Sequence, residues 1–434
     1  MRSTFAALST RNYRLFATGS LVSNVGTWMQ RVAQDWLILT LTASAGALGL
    51  TTGLQFLPIL LFSPFAGVIA DRYPKRRVLA VTQLLLGVSA GTLGLLAITG
   101  LVQPWHVYVL AFVFGTGTAF DAPARQAFVN EMVERDRLPN AVALNSASFN
   151  LARMIGPALA GLAIAWMGSG VSATGWVILV NAASYGAVIV SLARLRVHEL
   201  TPTTPLGRGP GQLRDGIRYV RARPDLLLVM AVVFCCGTFG LNFQMTTALM
   251  ATEVYGQGAG EFGLLGSILA VGSLAGSLLA ARRVRPRQRL VVASAVAFGA
   301  VVAVAGLMPS YLAFAAVLPL CGFAAMTVIT SANAFVQMGT AARVRGRVMA
   351  LYMAIFMGGT PIGSPLLGWV AEQFGARWTL IGGGALTALG TLVATAVFTR
   401  HQGLVVTPHL RPVPHLSVCT RPEEAVVTES VVAA

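Results

Sequence analysis

The sequence predicts an all-α membrane protein with twelve transmembrane helices in two six-helix bundles, and three observations lead to this prediction. First, 55% of the 434 residues are hydrophobic and only 11% are charged, whereas an ordinary soluble domain is about 25% charged. Second, apolar runs long enough to cross a bilayer recur along the whole chain. Third, the two halves of the chain share residues at matching positions, which indicates an internal repeat.

The apolar runs define the predicted spans. A helix needs about 20 residues to cross ~30 Å of hydrocarbon. Twelve runs approach this length: 14–39, 46–70, 78–99, 105–124, 141–167, 174–194, 225–251, 262–281, 289–308, 311–338, 347–371 and 378–399. Six tryptophans fall at run ends on one side of the predicted membrane, as in an interfacial aromatic belt: Trp36, Trp105, Trp166, Trp176, Trp369 and Trp378.

The basic residues predict the orientation. All but three of the 31 Lys and Arg residues lie in segments on the side of the N-terminus, the exceptions being Arg31, Arg153 and Arg377. Segments rich in Lys and Arg stay in the cytoplasm, so we expect a multi-pass protein of the cell membrane with both termini cytoplasmic. The net charge of +16 then reflects topology, and no nucleic-acid partner is expected.

Residues that catalysis, metal binding or nucleotide binding would need are scarce. The single lysine, Lys75, lies in the sequence YPKR, so the chain has no P-loop, in which Lys stands between Gly and Ser or Thr. The four Cys lack metal or disulfide spacing, and the five His fall in loops, at helix ends or in the tail. We expect no cofactor, no metal and no enzyme activity, and a membrane-embedded enzyme is the weakest alternative.

An internal repeat relates the two halves. The tripeptide AFV at 127–129 recurs at 334–336, and at the same spacing Gly156 matches Gly363 and Gly161 matches Gly368. Both copies run through the membrane in the same direction, so an axis along the membrane normal relates them. Transporters of this architecture hold their substrate between the two halves.

We predict four regions: an N-terminal six-helix bundle (1–194), a cytoplasmic linker (195–224), a C-terminal six-helix bundle (225–400) and a disordered cytoplasmic tail (401–434). In the linker, Leu213, Ile217 and Val220 recur at helical spacing beside several arginines. This pattern is typical of an amphipathic helix that lies on the membrane surface.

Short motifs carry a family resemblance. The segment 67–77 (GVIADRYPKRR) resembles the signature loop of the major facilitator superfamily, and 153–161 (RMIGPALAG) resembles the Gly-Pro motif of its antiporters. Segments 12–16 (NYRLF), 28–31 (WMQR) and 121–125 (DAPAR) are similar to the branch of enterobactin-type exporters and transmembrane secretion effectors. The resemblance implies the major facilitator fold, alternating access, export, and a cavity lined by helices 1, 4, 7 and 10.

Four ionisable residues fall within the predicted spans, and buried charges are functional candidates by default. Arg31 and Asp35 are four residues apart and share a helix face; they form either an outer gate or proton-linked pair, or an ion pair that lets the helix insert. Asp121 is either a gate residue or an interfacial charge. Arg153 either acts in substrate charge or proton coupling, or pairs structurally.

The other candidates fall into two groups. Six residues are predicted to line the cavity or to serve helix packing: Asn24, Trp28, Asn242, Gln244, Asn333 and Gln337. Six are predicted to act in gating or conformational change: Gly67, Asp71, Arg72, Arg76, Gly156 and Pro157. Pro157 removes a backbone donor and is expected to bend its helix. By resemblance, Asp71 caps the eleventh helix near Gly346 and holds the inner gate shut; alternatively this loop only sets topology.

The predicted function is secondary active transport. We expect a monomeric, proton-coupled exporter of an amphipathic small molecule such as a drug, siderophore or secondary metabolite. Without an ATP motif, the energy must come from an ion gradient. The alternative is an uncoupled facilitator or an importer of a small solute.

Overall fold

Helices form almost all of the described chain. The computed structural model describes residues 5–201, 212–281, 287–341, 344–402, 404–409 and 415–420. Within these residues, eleven helical segments are long and apolar enough to cross a membrane by length and composition. The first long helix, Arg11–Thr42, adds a twelfth of membrane length, so the predicted all-α fold of twelve spans is confirmed.

The helices are numbered in chain order. The N-terminal bundle contains α1 (Arg11–Thr42), α2 (Ala45–Arg72), α3 (Lys75–Ile98), α4 (Pro104–Met132), α5 (Leu138–Trp166) and α6 (Val171–Ala193). The linker contains α7 (Gln212–Arg221), and the C-terminal bundle contains α8 (Pro224–Cys235), α9 (Phe243–Leu249), α10 (Ala259–Ala281), α11 (Gln288–Gly306), α12 (Tyr311–Gly339), α13 (Arg345–Phe374) and α14 (Arg377–His401). We call the end where α1 begins and α2 ends the basic end, and the opposite end the tryptophan end.

The seventh span is a composite. It joins α8 and α9 through a π-helical turn, Cys236–Gly240, and ends in a second π-helical turn, Met250–Val254. Leu241 and Asn242, between the first turn and α9, are not helical. Wider helical turns of this kind are rare and often mark functional sites.

Helix α1 is too polar to count as a span by hydropathy, unlike the other eleven. Its polar side chains face protein: Gln30, Gln34 and Asp35 are all buried. A helix surrounded by other helices in a bundle can carry such residues, because they find partners there that lipid cannot offer. Its position therefore explains its composition.

The outer surface of the bundles suits lipid. Large apolar side chains such as Val81 and Leu278 are exposed along the helices, and five of the six predicted belt tryptophans are exposed at helix ends. Trp36 instead donates its indole N–H to the Ser169 carbonyl over 2.9 Å. Soluble monomers rarely expose so much continuous apolar surface, which agrees with a membrane environment.

Packing within each bundle follows the predicted repeat. Gly156 of α5 lies against α1, where a Cβ would come within 2.6 Å of the Trp28 Cβ. Its match, Gly363 of α13, lies against the seventh span, where a Cβ would overlap the Thr238 carbonyl oxygen. The fifth span thus packs on the first as the eleventh packs on the seventh.

Packing between the bundles follows the same rule. Gly161 of α5 lies against Ala259 and Gly263 of α10, whereas its match, Gly368 of α13, lies against Gly46 of α2. All of these residues lie near the tryptophan end of their helices. The two bundles therefore meet there through two equivalent pairs, α5 with α10 and α2 with α13, and pseudo-symmetry relates them.

Replacing Gly363 with Ala should destabilise the C-terminal bundle. The new methyl group would collide with the Thr238 carbonyl, and overpacking of this kind typically costs about 1–3 kcal/mol. Gly382→Ala is the matched control, because a Cβ there has open space around it and Ala favours a helix over Gly. Thermal unfolding in detergent should show a lower midpoint for Gly363→Ala only. Equal midpoints for the two variants would contradict this packing.

The linker and tail have some defined structure. Helix α7 packs on the start of α13. The hydroxyl of its Tyr219 accepts the Ala341 N–H over 3.3 Å. In the tail, strands β1 (Leu404–His409) and β2 (His415–Thr420) pair antiparallel, which differs from the predicted disorder at these positions. Residues 202–211 of the linker and 421–434 of the tail lie outside the described part, so their predictions stay untested.

Candidate functional site

A cavity opens within the N-terminal bundle. Its volume is about 370 Å³, which falls in the range of small-molecule sites. Helices α1, α3, α4, α5 and α6 line it with amide, hydroxyl and aromatic side chains, including Asn24, Thr27, Trp28, Gln126, Asn145, Phe149, Asn150 and Tyr185. Of the candidates for a cavity, Asn24, Trp28, Arg31 and Asp121 line it, whereas the residues proposed on the C-terminal half do not.

Both carboxylate oxygens of Asp121 accept hydrogen bonds at one wall of the cavity. One carboxylate oxygen accepts from the Arg125 guanidinium at 2.9 Å, and the other accepts from Gln83 at 2.7 Å and Thr82 at 3.0 Å. Arg125 also donates to Ser20 over 2.8 Å. These bonds tie α1, α3 and α4 together, and a gating role for Asp121 stays a prediction.

Arg31 and Arg153 flank one tryptophan. The guanidinium carbon of Arg31 lies 4.8 Å from the Trp28 ring centre and that of Arg153 lies 5.8 Å from it. Trp28 also packs edge-on against Phe149, with ring centres 5.8 Å apart. The Nη1 of Arg153 lies 4.0 Å from the Met326 sulfur on α12. Aromatic faces attract cations electrostatically, so the Trp28 ring stabilises both guanidinium groups.

Asp35 contacts the other bundle rather than Arg31. One of its oxygens accepts from the Gln244 amide of α9 over 2.7 Å, and the other has no hydrogen-bond partner among the described residues. Its side chain is completely buried. Among the ion pairs of the described residues within 4 Å, none joins Arg31 to Asp35. The predicted ion pair on α1 is therefore not formed in this state.

The other polar candidates lie outside the cavity. Asn242 is buried at the break in the seventh span and donates to the Thr238 carbonyl over 2.8 Å. Gln337 donates to Asn333 over 2.7 Å, near the basic end of α12. Their place in substrate binding stays a prediction.

The sequence predicts that Gly156 and Pro157 interrupt α5, but they do not. The helix is continuous over Leu138–Trp166. Gly156 allows close contact with α1, while the carbonyl of Pro157 faces Gly263 of α10. Next to the proline, the Ala158 N–H donates to the Ser267 hydroxyl over 3.2 Å. Pro157 thus forms part of the contact between bundles, whereas Gly156 packs within its own bundle.

The signature loop lies at the basic end. Arg76 donates to the Leu192 carbonyl at the end of α6 over 2.9 Å, and Arg72 is exposed. The Asp71 side chain lies outside the described residues. No atom of the described residues lies within 4 Å of the Cβ position of Gly346, its expected neighbour. Gly67 lies in α2 and is half-buried. Gating roles for these residues stay predictions.

The structure adds a contact that the sequence analysis missed. At the tryptophan end, the Glu372 carboxylate of α13 accepts from the Ser44 hydroxyl and from the Gly46 N–H at 3.0 Å. It therefore caps the N-terminus of α2 from the other bundle. Helix N-termini favour a carboxylate because of their free N–H groups and dipole. Ser44, a typical N-cap residue, was a sequence signal for the helix start but not for this partner.

Comparisons with known proteins agree on one family. A model of the transmembrane secretion effector family matches residues 2–418. The multidrug efflux pump Tap of Mycolicibacterium fortuitum is 27% identical over 383 residues, which cover 85% of this chain and 90% of that protein. The staphyloferrin A transporter of Staphylococcus aureus is 24% identical over 390 residues, or 89% of this chain and 95% of that protein.

Solved structures share the fold. A bacterial homologue of the human lysosomal transporter Spinster, in an inward-facing and occupied conformation, matches with a TM-score of 0.68 and 15% identity over 90% of this chain and 98% of its own. A POT family transporter matches with a TM-score of 0.71 and 12% identity over 90% of this chain and 96% of its own. The chain belongs to the transmembrane secretion effector family of the major facilitator superfamily, and it is a multi-span membrane transporter for small molecules.

Proposed function

We propose that this protein is a proton-coupled exporter of amphipathic small molecules in the cell membrane, working as a monomer by alternating access. One observation carries the proposal: a buried carboxylate, Asp35, lies between the two bundles, beside a cavity that can hold a small molecule. The efflux pump and the siderophore transporter among the relatives favour export of such molecules.

The contacts between bundles support a cavity that is closed towards the exterior. The basic segments place the basic end in the cytoplasm by the positive-inside rule, so the tryptophan end faces outwards. The bundles meet near that end through α2 with α13 and α5 with α10, and Glu372 caps α2 there. The Asp71 loop and Gly346, at the other end, would then close the cytoplasmic side in the opposite state.

Asp35 is the proposed coupling residue because of its place in the repeat. Asp35 of the first span and Gln244 of the seventh span occupy matching regions of the two halves, and they meet each other. A contact between these two spans must change when the bundles rock about their common axis. The protonation state of Asp35 can therefore bias which end of the transporter closes.

Burial decides the sign of that bias. Within the described residues, no cation lies within 4 Å of the Asp35 carboxylate. Such a carboxylate is costly to bury, and the outward end has closed around Asp35. Closing this end is therefore easier when Asp35 carries a proton taken from the exterior. After the cavity opens to the cytoplasm, the proton is released there, so each empty return brings one proton inwards.

Gradient-driven uptake into inverted membrane vesicles tests the proposal. Vesicles that contain the protein should accumulate amphipathic dyes when their lumen is acidic, with rhodamine 123 and fluorescein as cationic and anionic probes. Nigericin, which exchanges protons for potassium, should abolish the accumulation. Flux that is indifferent to nigericin would instead identify the uncoupled facilitator, and accumulation only in right-side-out vesicles would identify an importer.

A further inference from the structure

The cavity carries unpaired positive charge. Two arginines line it, Arg31 and Arg125, and Arg153 lies beside it against Trp28. Arg125 is neutralised by Asp121 at 2.9 Å. Asp121 is the single carboxylate among the described residues of the lining. The balance of charge at this site therefore depends on Arg31 and Arg153.

No carboxylate of the described residues lies within 4 Å of either of these two arginines. The Nε of Arg31 is buried and lacks a hydrogen bond among the described residues. Its guanidinium carbon lies 4.8 Å from the Trp28 ring centre and 5.6 Å from that of Phe56, and Asp35 acts on it electrostatically from beyond 4 Å. Arg153 contacts the same Trp28 ring and the Met326 sulfur. Asp35, the nearest acidic residue along α1, is bonded to Gln244 instead.

Two half-buried guanidinium groups beside one ring, within the membrane-spanning part of the chain, are costly. An anion bound there would offset that cost, and the planar fork of Arg matches a carboxylate through two parallel hydrogen bonds. A cationic ligand would add a third positive charge instead. The electrostatics of this wall therefore select the sign of the ligand.

The neighbouring side chains select its shape. Trp28 and Phe149 meet edge to face at one wall of the cavity, and the amides of Asn24 and Asn150 lie close to them along α1 and α5. Aromatic walls with a few amides suit a flat apolar body with one polar group.

We infer that the substrate is an aromatic organic acid whose carboxylate pairs with Arg31 and Arg153 and whose ring system lies against Trp28 and Phe149. This inference rests on the proposed transport function for its biological meaning, but binding alone tests it. It narrows the substrate class from amphipathic molecules in general to anionic ones.

Equilibrium binding of two dyes to the purified full-length protein in detergent is the test. Fluorescein and rhodamine 123 share the xanthene ring system but carry opposite charge, and fluorescence anisotropy reports the binding of both. Wild-type protein should bind fluorescein more tightly than rhodamine 123. Arg31→Gln and Arg153→Gln should each weaken fluorescein binding by ~10-fold or more, the usual effect of losing a charged hydrogen bond, and should leave rhodamine 123 binding unchanged or tighter.

Two further variants separate charge from folding. Arg31→Lys keeps the charge and should retain most of the fluorescein affinity, so a loss in Arg31→Gln alone is due to charge. Arg14→Gln, at an exposed arginine of α1, should bind both dyes like the wild type. Absence of fluorescein binding, a preference for rhodamine 123, or equal fluorescein affinity in Arg31→Gln, Arg153→Gln and the wild type would overturn the inference.

The binding result is independent of transport. Arginine-dependent binding of fluorescein without its gradient-driven accumulation in vesicles would contradict the proposed exporter and leave the anion site standing. Nigericin-sensitive accumulation of rhodamine 123 together with arginine-independent fluorescein binding would contradict the anion site and leave the proposed exporter standing.

Discussion

Asp35→Asn should abolish gradient-driven accumulation while leaving dye binding intact. The amide resembles a permanently protonated carboxyl and can still bond to Gln244, so the outward end can close. It cannot release a proton to the cytoplasm, and the return step is no longer tied to the gradient. We expect the nigericin-sensitive accumulation ratio, the dye concentration inside the vesicles over that outside, to fall at least ~10-fold. This change is equivalent to ~1.4 kcal/mol.

Binding controls separate coupling from substrate recognition. Because Asp35 does not line the cavity, dye affinity of the purified Asp35→Asn protein should stay close to that of the wild type. Asp136→Asn, the same change at an exposed loop carboxylate, should preserve gradient-driven uptake. If Asp35→Asn still responds fully to the pH gradient, the coupling proton binds elsewhere.

Gly161→Leu should hold the two bundles apart at the tryptophan end. A Cβ at Gly161 would overlap the Ala259 carbonyl and lie 2.9 Å from the Gly263 Cα, both on α10. A branched side chain therefore cannot fit while α5 and α10 are in contact. Because this contact joins the bundles rather than building one of them, we expect a shift towards the outward-open state and a loss of transport of at least ~10-fold.

Spin labels can measure this shift. Leu101 and Leu312 are highly exposed at the tryptophan end of opposite bundles, so labelled cysteines there report the separation of the two ends. The distance should lengthen in Gly161→Leu and stay unchanged in Gly186→Leu, where the Cβ position has open space. Gly161→Ala, a smaller change, guards against misfolding and should show a weaker shift. An unchanged distance in both Gly161 variants would refute this gate.

The membrane fold can be predicted from the sequence because the features that indicate it are local. Hydropathy, loop charge and residue spacing each depend on short segments, and lipid acts on each span in the same way. The repeat was visible for a related reason: Gly156 and Gly363 make equivalent close contacts, and few residues other than glycine can occupy such positions. The choice of four charges as candidates also required only that they lie within spans.

Partners of those charges could not be deduced in the same way. The spacing of Arg31 and Asp35 on one helix face favoured a mutual ion pair, but Gln244 from another bundle competes for Asp35 and Trp28 lies beside Arg31. Likewise, Pro157 was expected to interrupt and bend α5, whereas the helix is continuous and the Ala158 N–H next to the proline donates to Ser267 of α10.

The sequence by itself determined the number of spans, the predicted orientation, the two-fold repeat and the set of buried charges. Only the tertiary structure decided that Thr82 and Gln83 of α3 donate to Asp121, that Glu372 caps α2, and that no carboxylate of the described residues lies within 4 Å of Arg31 or Arg153 beside the same ring. The physical reason is that an ion pair or hydrogen bond depends on atoms a few ångströms apart, and these come from helices far apart in the chain. Linear spacing limits which residues share a face, but the packing of helices decides which faces meet.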